Sequence, residues 1–288
     1  MDLKLIKPLK KRGRKANPLP IQQSRKAEIA YTRELLSLVA YTQSEIKKDL
    51  LPLLKRYNIG DTSGVQVSDR FIDQFIQALE QLRSRLILIT DAMAIEIARR
   101  ILEQNKQSTD KQLADMLFKL TGIDFTALMR SEDLFDAVSD AVQANAQLIK
   151  SIPKQHLDKV EQIVLNGIQS GLRAEHMVKA IQEIGYSTEK RAKLIARDQT
   201  GKLTSKLTEV RQTKLGITHY YWSCSRDERV RDSHRYRDGK LYAWTHVHDD
   251  GHPGIPIRCR CVAIPYTAHL FDPTAPTPEE IISKQEAA

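Results

Sequence analysis

Cysteine and aromatic residues are both scarce in this chain: three Cys among 288 residues, and 6% Phe, Trp and Tyr. Three cysteines cannot build the multi-bridge framework of a small secreted domain. Apolar runs are short. None approaches the ~20 residues a helix needs to cross a bilayer, and the basic N-terminus lacks the apolar core of a secretory signal. Glycine (12) and proline (11) are too few for a collagen-like or low-complexity chain. Acidic residues number 36 against 45 Lys and Arg, a net +9 that suits polyanionic or acidic partners and says nothing of fold. The remaining composition, 41% hydrophobic and 28% charged, is that of a globular protein with one large domain or two modest ones.

The charge is uneven. Residues 1–23 hold seven basic side chains against Asp2 alone, a net of +6. Lys7, Lys10, Lys11, Arg12, Arg14 and Lys15 form its densest run, with no periodic apolar face. This reads either as a flexible basic arm able to neutralise DNA phosphates or as a solubilising tail. At the other end, 266–288 reads as a Pro-rich tail with at most one short final helix.

From 24 to 196 the apolar residues recur at helical spacing. The first helix is expected to close at Tyr57–Gly60, with a turn from Gly64 to Ser68. A second, long helix starts near Asp69 and carries Phe71, Phe75, Leu79, Leu82, Leu86 and Met93 past Leu102. Shorter helices are predicted over 109–120, 124–129, 133–151, 154–168, 173–184 and 188–199. Pro153 and Gly185 separate neighbours, and Ser187 caps the last. Beyond Gly216 the texture changes: both Trp and four of the nine Tyr fall between 219 and 245, and all three Cys between 224 and 261. Strands are predicted at 219–222, 240–244 and 261–265. The fold class is therefore α+β: a helical N-terminal region with a long helix, then a small mixed α/β or β-rich domain over 197–265.

Chemistry concentrates in that domain. Cys224, His234, Cys259 and Cys261 are four residues of the type zinc takes tetrahedrally. Cys259-x-Cys261 is shorter than a usual zinc knuckle, but in a strand both side chains share a face. Three readings stay open: a structural zinc, three free buried cysteines, or a Cys224 or Cys259 nucleophile activated by His234. The string Arg226-Asp227-Glu228-Arg229-Val230-Arg231-Asp232 alternates in charge and reads as a solvent-facing, ion-paired turn. Asp249-Asp250-Gly251 reads as a tight turn with little metal potential.

Together, Tyr221-Trp222, Asp227-Glu228-Arg229-Val230-Arg231, His234, Asp238-Gly239, His252-Pro253-Gly254 and Cys259-Arg260-Cys261 resemble the phage Mu F-like minor head protein family, also described as phage head morphogenesis proteins. The strong part of the resemblance covers about 145–265. It implies a non-enzymatic minor head protein of a tailed phage or prophage. It also implies that 24–196 docks on portal or capsid. The implied partners are the portal protein, a scaffold or major capsid protein, and packaged double-stranded DNA, with no membrane in the assembled head. The implied location is the virion head or procapsid interior, and the host cytoplasm during assembly. Within the motif, Trp222, Asp227, Arg229, Arg231, His234, Asp238, Gly239 and Arg260 are expected to hold the loop's shape. Arg258 and Arg260 are expected to pair with its acids or with an acidic partner. Family members often carry Thr-Glu where this chain has Asp198-Gln199, which weakens a mechanistic role for an acid there.

Overall fold

The computed structural model describes residues 20–56, 69–131 and 134–287. The arm cations Lys7 to Lys15, the expected helix end at Tyr57–Gly60 and the turn at Gly64–Ser68 lie outside the described residues. Of the expected arm, Ile21 is buried, packed with Leu113, Met116 and Leu117, so the last residues of 1–23 belong to the folded part.

The helical N-terminal region and the small sheet are both present, as α+β requires. The helices are α1 (Arg25–Asp49), α2 (Leu51–Arg56), α3 (Asp69–Thr121), α4 (Thr126–Ser131), α5 (Phe135–Gln169) and α6 (Ala174–Lys214). Then follow β1 (His219–Ser223), α7 (Asp232–Arg237), β2 (Leu241–Ala243), β3 (Val262–Pro265), α8 (Ala268–Phe271) and α9 (Pro278–Glu286). Among the described residues no helix is long and apolar enough to cross a membrane.

Three helices run through boundaries expected from the sequence. α3 continues through residues 105–109 because buried Asn105 and Thr109 keep its inward stripe between Leu102 and Leu113. The Asn105 amide donates to the Ile101 carbonyl, so its burial leaves no orphan donor there. α5 carries Pro153 inside it. Interior proline costs about 3 kcal/mol, but the buried stripe Val142, Ala146, Ile149, Ile152, Leu157, Val160 and Val164 runs across it. At ~1.5–3 kcal/mol for each large side chain, that burial outweighs the defect. α6 passes Gly185 for the same reason, through Ile181, Ile184, Thr188, Ala192 and Ile195. Ser187 does not cap a new helix. Its hydroxyl and that of Thr188 both donate back to the Ile184 carbonyl, each at 2.9 Å.

The chain divides into two compact units. One comprises Glu28–Arg100 and Val142–Ala196. Its core is aliphatic: Ile46, Leu50, Leu54, Phe75, Leu79, Leu82 and Leu86 with Leu157, Val160, Val164 and Ile181. The second unit takes residues 20–27 with Ile101–Ala141 and Arg197–Ala288. One of its cores joins Ile21, Leu113, Leu117, Phe125 and Met129 to Leu215 and Ile217. The other lies against an antiparallel sheet of order β2-β1-β3. Inward residues of that sheet are Tyr220, Trp222 and Ala263, with Trp244 and Cys261 beside them.

Side-chain polar groups fasten this sheet. Gln212 on α6 is fully buried; it donates to the Ala263 carbonyl and accepts from Trp244 Nε1 at 3.1 Å. Between α6 and α3, Arg211, also fully buried, meets Asp110 with two hydrogen bonds of 2.8 Å. The expected loose tail is folded in part as α8 and α9. A capping box at Thr277 and Glu280 starts α9, and the Gln285 amide pairs with both backbone groups of Leu241, blunting the β2 edge.

Candidate metal centre

Three separate stretches deliver the cysteine and histidine side chains. β1 ends at Ser223 and leads into Cys224. α7 carries His234 inward, 1% exposed, edge-on to Trp222 with ring centroids 5.2 Å apart. The loop before β3 brings Cys259 and Cys261. Gly254 in that loop has φ +88°, and a Cβ there would sit 3.0 Å from Ser205 Cβ, so glycine lets the loop approach α6 closely. Ser205 donates to the Pro253 carbonyl, which holds the approach in place.

His234, Cys259 and Cys261 converge, their ligand atoms all within 4.8 Å of one another, and these three could coordinate a metal ion. His234 Nδ1 lies 3.5 Å from Cys259 Sγ and 3.4 Å from Cys261 Sγ. Cys224 Sγ lies 3.1 Å from Cys261 Sγ, and all three cysteines are free thiols. The backbone N–H groups of Gly254 and Cys261 both donate to Cys259 Sγ, each at 3.4 Å. The Cys259 thiol is pulled down to about 6, first by the hydrogen bond from the Cys261 thiol and then by those two N–H donors. Cys261 is pushed up because it is the donor of that pair and is buried. Burial likewise raises Cys224.

On its far side His234 Nε2 meets Asp250 Oδ2 at 2.7 Å, and Arg237 donates to Asp250 Oδ1 at 2.6 Å. Burial opposes the charge on Asp250, but the hydrogen bonds from Arg237 and His234 outweigh it and hold its carboxyl below the usual range. Arg237 in turn lies over the Trp222 ring, 5.0 Å from its centre. Sequence reasoning read Asp250 as part of a plain turn. Nothing local marks it, because its partner lies sixteen residues upstream.

The remaining motif residues surround this cluster. Asp227 receives a two-point fork from Arg260, with NH2 to Oδ1 at 2.6 Å, and accepts from the Arg229 backbone N–H. Arg231 donates to the Ile257 carbonyl. Asp238 accepts from the Cys224 N–H at 2.8 Å and pairs with Arg226. Gly239, at φ +78°, donates to the Trp222 carbonyl. The Arg229 side chain is exposed and borders the cleft beside the cysteines. Asp198 accepts from the Arg258 N–H at 3.0 Å and pairs with Lys202, so this acid anchors the loop leading to Cys259. Behind the sheet, Tyr220 OH bridges His248 Nε2 at 3.1 Å and His252 Nδ1 at 2.9 Å. Burial pushes His248 down to about 4. The cleft beside the cysteines holds about 20 Å³, room for one water. A cavity of about 540 Å³ lies instead in the helical unit, over Ile46, Leu51, Val178 and Ile181, where the sequence carries no chemical motif.

Residues 158–264 match the family model described as Phage Mu protein F like protein. The match runs from within α5, through α6, to β3, and so includes the whole cysteine and histidine cluster. An uncharacterized protein of Haemophilus influenzae is 32% identical over 285 residues, 98% of this chain. The chain spans 62% of the length of that curated relative. No solved structure matches. The motif resemblance is thus borne out: a Mu F-like region occupies 158–264 and links the chain to a family of phage proteins.

Proposed function

We propose, taking that Mu F-like region as the premise, that this chain is a minor head protein of a tailed phage or prophage. It associates with the portal vertex during head assembly, in the host cytoplasm, and resides in the procapsid interior. Scaffold or major capsid protein is its further contact. The observation that carries this reading is the family match across 158–264. The site's geometry supports a shape-holding role over turnover. Asp227 with Arg260, Asp238 with the Cys224 N–H and Arg231 with the Ile257 carbonyl are paired within the motif and its loop. The cleft beside the thiols has no room for a substrate. Co-expression with portal, scaffold and capsid proteins tests it: the chain should be recovered in procapsids and retained with portal oligomers. Procapsids that form with portal but without this chain contradict the reading.

A second, compatible reading follows from the net +6 of residues 1–23: contact with packaged double-stranded DNA. Such contact weakens steeply with salt. Removal of 1–15, which carries every basic residue of the arm and leaves the buried Ile21 in place, should lower DNA affinity and flatten its salt dependence. Unchanged binding without the arm contradicts it.

A further inference from the structure

We infer that Cys224, His234, Cys259 and Cys261 bind one zinc ion in a closed tetrahedral site, and that this ion fastens the 224–261 segment to the sheet. This goes beyond the head-protein role and does not depend on it. Zinc bonds of ~2.3 Å to sulfur and ~2.0 Å to nitrogen make a tetrahedron whose N···S edges are ~3.5 Å and S···S edges ~3.8 Å. The His234 Nδ1 distances to Cys259 and Cys261, 3.5 and 3.4 Å, already match such edges. Cys224 Sγ, 3.1 Å from Cys261 Sγ, is the remaining thiol; it lies outside the set of atoms within 4.8 Å of one another and must swing toward the other ligands to take the fourth vertex.

The surroundings suit a charged cluster better than three neutral thiols. Two backbone N–H groups aim at Cys259 Sγ, an arrangement that stabilises a thiolate. Among the described residues the Trp222 indole N–H is buried with no hydrogen-bond partner. Three thiolates and one zinc leave a net charge of −1, and Arg229, Arg231, Arg258 and Arg260 line the cleft beside them. His234 is fixed from behind by Asp250, the carboxylate–histidine–metal relay that sets the tautomer and presents Nδ1 as the ligand atom. Soft sulfur donors with one imidazole select zinc over magnesium or calcium. With four protein ligands no vertex is left for water, so the ion serves structure rather than hydrolysis.

Elemental analysis of the purified full chain should find one zinc per chain. Replacement by cobalt should give the intense thiolate charge-transfer absorption and the visible bands of a tetrahedral three-thiolate site. Cys224→Ser should weaken zinc at least about tenfold and reduce the charge-transfer intensity by the share of one thiolate. Asp250→Asn should weaken it by about 10–100-fold while the tetrahedral cobalt bands persist, as expected of a residue that acts through His234. Should the serine variant fail to fold, the cobalt spectrum of the unaltered chain still decides ligand number. A folded chain with three titratable thiols and no metal affinity overturns the inference, as does a Cys224–Cys261 disulfide. A two-thiolate cobalt spectrum overturns the closed site. None of these results bears on procapsid entry, which is read separately.

Discussion

The helical unit and the sheet are held together by different means. In the helical unit, fifteen buried apolar residues form one core among the described residues. Its ion pairs, such as Arg83 with Asp158 and Glu161, sit at its margin. Against the sheet, the corresponding cluster has five buried members, one of them a cysteine. The segment between β1 and β3 contains only the short α7 and β2. Only Trp244 and Cys261 of those five lie in the segment itself, residues 224–261. Polar contacts, through Gln212 to Trp244, Asp227–Arg260 and the cysteine cluster, fasten it. A loop-rich segment with little apolar core of its own needs a staple, whereas a long-helix bundle does not.

The sharpest way to break this contrast is to truncate one charged partner in each unit. Asp110→Ala strips the carboxylate from the fully buried Arg211 and should cost about 3–5 kcal/mol in urea unfolding. Arg83→Ala removes a network whose three acids are 32–57% exposed and should cost about 1 kcal/mol. Equal losses would contradict the contrast. Apolar truncation runs the other way. Leu82→Ala, at a fully buried position of the helical core, should cost about 2–5 kcal/mol by far-UV circular dichroism. It should move the tryptophan signal little, because both Trp sit in the sheet unit.

Acid gives a smaller effect. His248 has its folded-state pKa lowered from 6.5 to about 4. The unfolded chain therefore takes up the proton first as pH falls. Its contribution to stability is full above pH 6.5 and is lost as pH falls toward 4. His156, buried in the helical unit, carries the same depression to about 4. His248→Gln should flatten the pH 4–6.5 dependence seen by tryptophan fluorescence and leave that seen by helix signal intact. His156→Gln should do the reverse. Identical profiles from the two probes in both variants would show that the two units do not unfold as distinct reporters.

The same contrast explains what could be read from the sequence. The apolar stripe of α3 and the three strands were legible because periodicity marks burial directly. The breaks expected at Pro153 and Gly185 were not real, since continuous stripes on both sides outweigh a local defect. Pattern reading around residue 105 failed because Asn105 and Thr109 occupy buried positions as satisfied polar groups. In the candidate site, residue type alone singles out Cys224, His234, Cys259 and Cys261. Asp250 and Asp198 were passed over, because their roles depend on partners sixteen and sixty residues away in sequence. Long-range polar pairing leaves no periodic trace, so the sheet unit is the part whose stabilisation a sequence hides.

Chelation of the full chain tests the central contrast most directly, with tryptophan fluorescence and far-UV circular dichroism followed together. Trp222 and Trp244, the only two tryptophans, both lie in the sheet core. Metal removal should shift their emission toward that of solvent-exposed indole while most of the helix signal persists, and added zinc should restore it. Emission unchanged after complete metal removal, or loss of both signals in one step, would contradict the account.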